Sequence, residues 1–194
     1  MGKEKLLFID CCVRGEGVSR TYGLCKEFFD SLGDKYEIEV VNPAEENILY
    51  MDKYSLEIRD GYLAENDREG GFFDYSKQFA AADRIVIGAP YWDWSFPACL
   101  KNYIEKISVD GITFTYEDNQ CKGLCNAKKA LYICTAGGVD EVHLGSMYIK
   151  ELFKRYGIND FDEVTAWGID IYGNDVKAIM NEAKEKLKNI AKDF

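Results

Sequence analysis

Hydrophobic positions fall along the chain in short runs of two kinds. "LLFI", Leu6 to Ile9, is an apolar run after a charged start and reads as a buried strand. "YEIEVV", Tyr36 to Val41, alternates before turning apolar, and Asn42-Pro43 closes it as a second strand. "RIVIGAP", "KKALYICTA" and "FDEVTAWGI" supply a third, fourth and fifth strand. Between them the period lengthens. Ser19 opens "SRTYGLCKEFFDSLG", which keeps Leu24, Phe28, Phe29 and Leu32 on one side and stops at Gly33. Ala98 to Ile107, Gly145 to Tyr156 and Asn174 to Lys192 also carry helical spacing. In the last, Val176, Ile179, Met180, Ala183, Leu187 and Ile190 form the inner stripe.

Apolar strands alternating with helices predict an α/β/α sandwich, a five-stranded parallel sheet covered on both faces. The order 2-1-3-4-5 is expected, because a ligand crevice then forms outside strands one, three and four. Ala44 to Asp83 is longer than one crossover needs and reads as two helices around a loop at Asp67 to Gly71. "GITFTYEDNQCKGL" reads as an inserted extended stretch or hairpin before strand four. Repeats, low-complexity tracts and linkers are absent from the sequence, so one domain over 1–194 is expected.

Composition narrows the partners. The 194 residues are 47% hydrophobic and 30% charged, as a globular protein requires. A net charge of −10 argues against nucleic acid, whose phosphates need a basic face. No apolar run approaches the ~20 residues of a membrane span, and "MGKEKLLFID" does not read as a secretory leader, so none is expected. Leu6 stands where a myristoylation signal needs Ser or Thr. With an odd count of seven cysteines, a reduced, cytoplasmic protein is expected. Cys11-Cys12 are adjacent, and Cys121 and Cys125 lack a second pair or a nearby His, so no metal site is expected.

Three loops should meet at the sheet edge. The first, "DCCVRGEGVSRT", places Gly15 and Gly17 before Ser19 and Thr21 at a helix start. Free N–H groups there, with Arg14 and Arg20, suit an anion, although Ser19 also reads as an ordinary helix cap. G-x-G-x-x-G is missing, which disfavours a dinucleotide pyrophosphate. The second loop, "APYWDWSFP", holds Tyr91, Trp92 and Trp94 between Pro90 and Pro97. These aromatics are either core or a wall for a planar ring whose polar edge meets backbone N–H groups. The third, "CTAGGVDEVHLG", offers Thr135 and the close-approach pair Gly137-Gly138. His143, the only histidine, lies beyond and reads as a satisfied surface or interface residue or as a catalytic group on the substrate side. A phosphate site, a flat aromatic site and a glycine loop on adjacent strands amount to a flavin mononucleotide (FMN) pocket.

The same residues carry a family resemblance. "AP" with its aromatic loop, "LKNYIEKI", "GITFTYEDNQCKGL" and "KKALYICTAGG" resemble the FMN-dependent NADH azoreductases and related NAD(P)H quinone reductases of flavodoxin-like fold. The likeness is strongest over Ile85 to Gly138. It implies that Ser19, Arg20 and Thr21 bind phosphate. Pro90, Tyr91, Trp92, Asp93 and Trp94 would form the flavin loop, and Thr135, Ala136, Gly137 and Gly138 the glycine turn. Cys11 stands where the family has a serine, Asp93 where azoreductases have Asn, and Ala136 where they have Arg. Asp93 is accordingly expected beside the ring or, alternatively, capping the turn near Pro97. The resemblance further implies ping-pong transfer from NADH or NADPH to a small-molecule oxidant: a quinone, an azo or nitro compound, or free flavin. It implies a homodimer whose Tyr116 and Phe114 reach the partner's pocket, with Tyr116 on the substrate side. An FMN-binding electron carrier without small-molecule turnover, and a flavin-free relative, are the alternatives.

Overall fold

The computed structural model describes residues 2–46, 48 and 50–194. The chain runs β1 (Glu4–Asp10), α1 (Arg20–Leu32), β2 (Tyr36–Val41), α2 (Lys53–Ala64), α3 (Asp74–Ala81), β3 (Arg84–Gly88) and α4 (Ala98–Ile107). It continues through β4 (Phe114–Glu117), β5 (Gln120–Gly123), β6 (Lys129–Thr135), α5 (Leu144–Arg155), β7 (Asp160–Ala166) and α6 (Val176–Asp193). Five strands pair in parallel in the order β2-β1-β3-β6-β7. With the separate β4–β5 pair set aside, this is the predicted 2-1-3-4-5.

Alternation along each strand divides the core into two layers. Leu7, Ile9, Ile85, Ile87, Ala130 and Tyr132 face Phe79 of α3, Leu100, Tyr103 and Ile104 of α4, and Ile149 and Phe153 of α5. Leu6, Phe8, Val86, Leu131 and Ile133 face Leu24 and Phe28 of α1 and Ala183 and Leu187 of α6. Adjacent residues of β1, β3 and β6 therefore serve opposite layers, which is why these strands read as unbroken apolar runs. Each large side chain removed from water this way contributes ~1.5–3 kcal/mol.

The long segment before β3 holds two helices, as expected, with a short 3₁₀ turn at Gly71–Phe73 between them. Asn47 and Leu49 of that segment, and Met1 of the leader reading, lie outside the described residues. The insertion before β6 is a hairpin. Phe114↔Gly123 and Glu117↔Gln120 pair antiparallel. Asp118 and Asn119 turn it with φ of 50° and 62°, the signature of a mirror-image two-residue turn. Among the described residues no helix is long and apolar enough to cross a membrane.

Candidate functional site

A cavity of about 460 Å³ opens at the C-terminal ends of the central strands, with walls from Ser19, Arg20, Thr21, Pro90, Tyr91, Trp92, Thr135 and Gly137. The three loops predicted to meet do meet. A fourth wall, Ile169 and Asp170, comes from the segment after β7. Sequence reasoning missed these two, together with Val13 and Val18. The signal for Ile169 and Asp170 was available, since ligands bind beyond strand C-termini and "WGID" follows the fifth strand.

The start of α1 forms one end. Ser19 is its N-cap, with φ −76° and ψ 118°, and its Oγ accepts the Tyr22 N–H at 3.2 Å. That bond spends an acceptor lone pair and leaves the hydroxyl proton available to a ligand. Arg20 and Thr21 are the first two helical residues, so their N–H groups have no carbonyl within the helix. Gly15 and Gly17, at φ 70° and 81°, let the preceding loop fold back so that Ser19 N–H reaches the Gly15 carbonyl at 3.0 Å. Thr21 is tied across the cavity floor: its hydroxyl and that of Thr135 lie 2.7 Å apart, both buried.

The aromatic wall is Tyr91 and Trp92. Tyr91 is braced from behind, edge-on to His143 at 4.7 Å and to Trp167 at 5.2 Å. Burial, and then the nearby Asp140 carboxylate, push its hydroxyl up to about 12. Its N–H is spent on the Thr135 carbonyl at 2.9 Å, and Trp92 N–H on Ser95 at 3.2 Å. Of the loop amides expected at a ring edge, those of Tyr91 and Trp92 are thus engaged in holding the loop together.

Asp93 and Trp94 also need correction. They occupy a two-residue turn at φ 50° and 60°, closed by the Ser95 N–H donating to the Trp92 carbonyl at 2.8 Å. This mirror-image turn reverses the chain just past Trp92. Both side chains consequently line a separate outer groove with Phe96, Lys101, Leu144 and Tyr148. Asp93 does not cap α4 either; Pro97 holds the N-cap position, with no side-chain cap bond.

In the third loop, Gly137 lines the cavity but Ala136 is 1% exposed. The Ala136 N–H donates to the Ala166 carbonyl at 2.9 Å. The stretch after β7 is zipped onto this turn: Gly168, Ile169 and Asp170 N–H groups donate to the carbonyls of Gly138, Ala136 and Gly137 at 2.9, 3.1 and 3.1 Å. Gly138 thus supports the wall rather than forming it. Cys11 is wholly buried, with its N–H on the Gly88 carbonyl at 2.8 Å. Burial pushes its thiol well up. It belongs to the core.

Neither candidate substrate-side residue lines the cavity of its own chain. His143 caps α5: its Nδ1 accepts the Ser146 N–H at 3.2 Å, and its side chain is only 7% exposed. It is a structural residue behind Tyr91, not a cavity wall. Tyr116 projects from the hairpin, exposed, with its hydroxyl bonded to Arg155. Arg155 also lies 4.5 Å over the Phe114 ring. Tyr116 does not line the cavity of its own chain.

An open parallel sheet with a helix start, an aromatic wall and a glycine turn at its crevice has the architecture of a flavodoxin. The chain belongs to the family with flavodoxin-like fold, whose model matches residues 4–191. Within it, the chain is 35% identical to the FMN-dependent NADH:quinone oxidoreductase 2 of Clostridium acetobutylicum, over 98% of this chain and 100% of that one. Identity is also 35% to the FMN-dependent NADH:quinone oxidoreductase of Lachnoclostridium phytofermentans, with the same coverage. Among solved structures, an azoreductase from Bacillus anthracis strain Sterne superposes with a TM-score of 0.87 at 21% identity, covering 98% of this chain and 100% of that one. An FMN-dependent NADH-azoreductase of the Ames Ancestor strain, solved in complex with FMN, gives 0.85 at 20% identity, covering 97% and 98%. At those identities the likeness shows the fold.

Proposed function

We propose that this chain is an FMN-dependent NAD(P)H oxidoreductase that reduces quinones, azo or nitro compounds, or flavins, in the cytoplasm. The observation that carries the reading is one cavity joining an anion-binding helix start to a braced aromatic wall. The donor set fits a flavin mononucleotide. The free N–H groups of Arg20 and Thr21, the Ser19 hydroxyl proton and the Arg20 guanidinium suit its phosphate. Tyr91 and Trp92 suit its planar ring, and Gly137 offers backbone with no Cβ in the way.

Bound FMN supplies the two-electron chemistry, passing reducing equivalents from a nicotinamide donor to the acceptor in ping-pong order. The chain's residues supply binding and orientation. Thr21 and Thr135 fix the floor through their mutual hydrogen bond. Tyr91, backed by His143 and Trp167, holds the wall against which a planar group is set. An electron carrier without small-molecule turnover is disfavoured, because relatives 35% identical across 98% of the chain are named NADH:quinone oxidoreductases.

The site is completed by a second copy in this reading. Trp94, Leu144 and Tyr148 are exposed side by side around the outer groove, and Tyr116 points away from its own cavity. A homodimer covers the first set and gives Tyr116 a pocket to serve.

Two measurements test the proposal. Anaerobic mixing of the FMN-loaded protein with stoichiometric NADH or NADPH should bleach the flavin, and a quinone should restore its colour; no bleaching by either nucleotide refutes the enzyme. Ser19→Ala should weaken FMN by ~1.5–3 kcal/mol, the worth of a hydrogen bond to a charged group, and leave riboflavin unaffected. Equal losses for both ligands would remove the phosphate assignment.

A further inference from the structure

Arg20 is not free over the cavity. Its Nη1 donates to Asp170 Oδ1 at 2.8 Å, across 150 residues of sequence. Asp170 is held there by its backbone: its N–H is on the Gly137 carbonyl at 3.1 Å, and the Asn174 side chain donates to the Gly168 carbonyl at 2.8 Å behind it. The turn leaves just enough space. A Cβ at Gly137 would lie 2.7 Å from Asp170 Oδ2, so a side chain there would push the carboxylate off its seat. Both residues line the same cavity. The anion-binding end of the site therefore already contains an anion.

We propose that Asp170 is a specificity-determining residue of this site, an internal carboxylate that occupies Arg20 and that an incoming phosphomonoester must displace or share. This rests on the FMN reading given above. The side chains of Arg20 and Asp170 are 49% and 68% exposed, so water screens the pair and it exchanges readily. Displacement is therefore feasible, but the carboxylate stays tethered next to the site and repels a bound phosphate. Neutral ligands escape that penalty. Asp170 lowers the affinity for phosphate-bearing flavin while leaving affinity for the phosphate-free ring and ribityl chain unchanged, so it narrows the preference for FMN over riboflavin and keeps FMN exchangeable.

Asp170→Asn keeps the acceptor oxygen and removes the charge. In fluorescence titrations at low ionic strength it should tighten FMN roughly 2–5-fold, the range for removing one exposed charge interaction. Riboflavin should not change. High salt should shrink the difference, and inorganic phosphate should compete with FMN more effectively in the variant than in the parent. In an Arg20→Gln background the tightening should shrink, since the contested cation is gone. Asp170→Ala should also tighten FMN, which separates charge from positioning. Weaker FMN binding by Asp170→Asn, or equal shifts for FMN and riboflavin, would overturn the proposal. If Ser19→Ala shifts FMN and riboflavin equally, the phosphate site itself is wrong. If Ser19→Ala is phosphate-selective but Asp170→Asn gives no tightening, only the competitor role falls.

Discussion

The single histidine shows how much one side chain's surroundings decide. For Nδ1 of His143 to accept the Ser146 N–H, the ring must be neutral with its proton on Nε2, which lies 3.8 Å from Glu163. Burial holds its pKa below the ordinary value, and the Glu163 and Asp140 carboxylates offset only part of that. The folded pKa is depressed, so the stabilisation is fully present above the unfolded value of about 6.5 and is lost as pH falls through the folded pKa. Chemical unfolding should show stability dropping across that window, by at most about 1.4 kcal/mol per pH unit from this group. His143→Asn keeps a cap acceptor and abolishes the titration; an unchanged pH slope would mean that His143 is not the group responsible. Thr21→Val is a second test at this scale. It leaves the Thr135 hydroxyl buried without its partner, and should cost ~1–3 kcal/mol of stability in denaturant titrations. The sequence singled out Ser19, Thr21, Tyr91, Trp92, Thr135 and Gly137, which line one cavity, because each is a residue type suited to ligand contact at a strand end. It did not show which way Asp93 and Trp94 face, because Asp93 suits the first position of a mirror-image turn but Trp94 stands where that turn normally has Gly, so the pair does not announce it.

Elements were more legible than side-chain directions. Strand runs and amphipathic stripes are set by burial on one or two faces, and that burial is written directly into residue order. Docking between elements is not. The hairpin is seated on the end of α5 through a contact no pattern announces: a Cβ on Gly123 would fall 2.0 Å from the backbone nitrogen of Gly157. Nothing flexible can yield there. Phe114 stacks parallel to Tyr156 at 6.2 Å beside it. Gly123→Ala should therefore cost ~1–3 kcal/mol by overpacking, and hydrogen exchange should show the Phe114–Gly123 hairpin losing protection before the parallel sheet does. Uniform loss across the molecule would mean that the hairpin is not a separately docked unit. The wall after β7 escaped notice for a related reason. Position after the fifth strand marked Ile169 and Asp170 as candidates, but what seats them on the site is three backbone bonds to the glycine turn, and a backbone bond leaves no mark on residue type.

At the scale of the whole molecule, the doubly covered parallel sheet followed from the strands' apolar character and alternation with helices, and its order from the ligand crevice that 2-1-3-4-5 opens outside strands one, three and four. What a single chain's pattern could not show is where its surface is meant to be covered. The outer groove has Trp94 at 65%, Leu144 at 53% and Tyr148 at 41% exposure. It adjoins the cavity through the turn that carries Trp92, so a partner seated there would also close over the site. Trp94 further sits at a φ of 60°, an uncomfortable conformation for a bulky residue, which glycine would adopt without cost. Keeping tryptophan there is reasonable if its ring is buried by a second copy. Trp94→Gly relieves the backbone and removes the ring; the stability of the fold reads the first effect and dimer dissociation the second. Sedimentation at micromolar concentration should show the parent as a dimer and the variant shifted toward monomer. The variant's dimer should dissociate at least tenfold more readily, an aromatic at an interface centre being worth upward of about 1.4 kcal/mol. Its activity per active site should fall with dilution as the pocket loses its cover. A variant that stays dimeric at the parent's dissociation constant would place the interface on another face and leave Trp94 as a ring displayed to solvent.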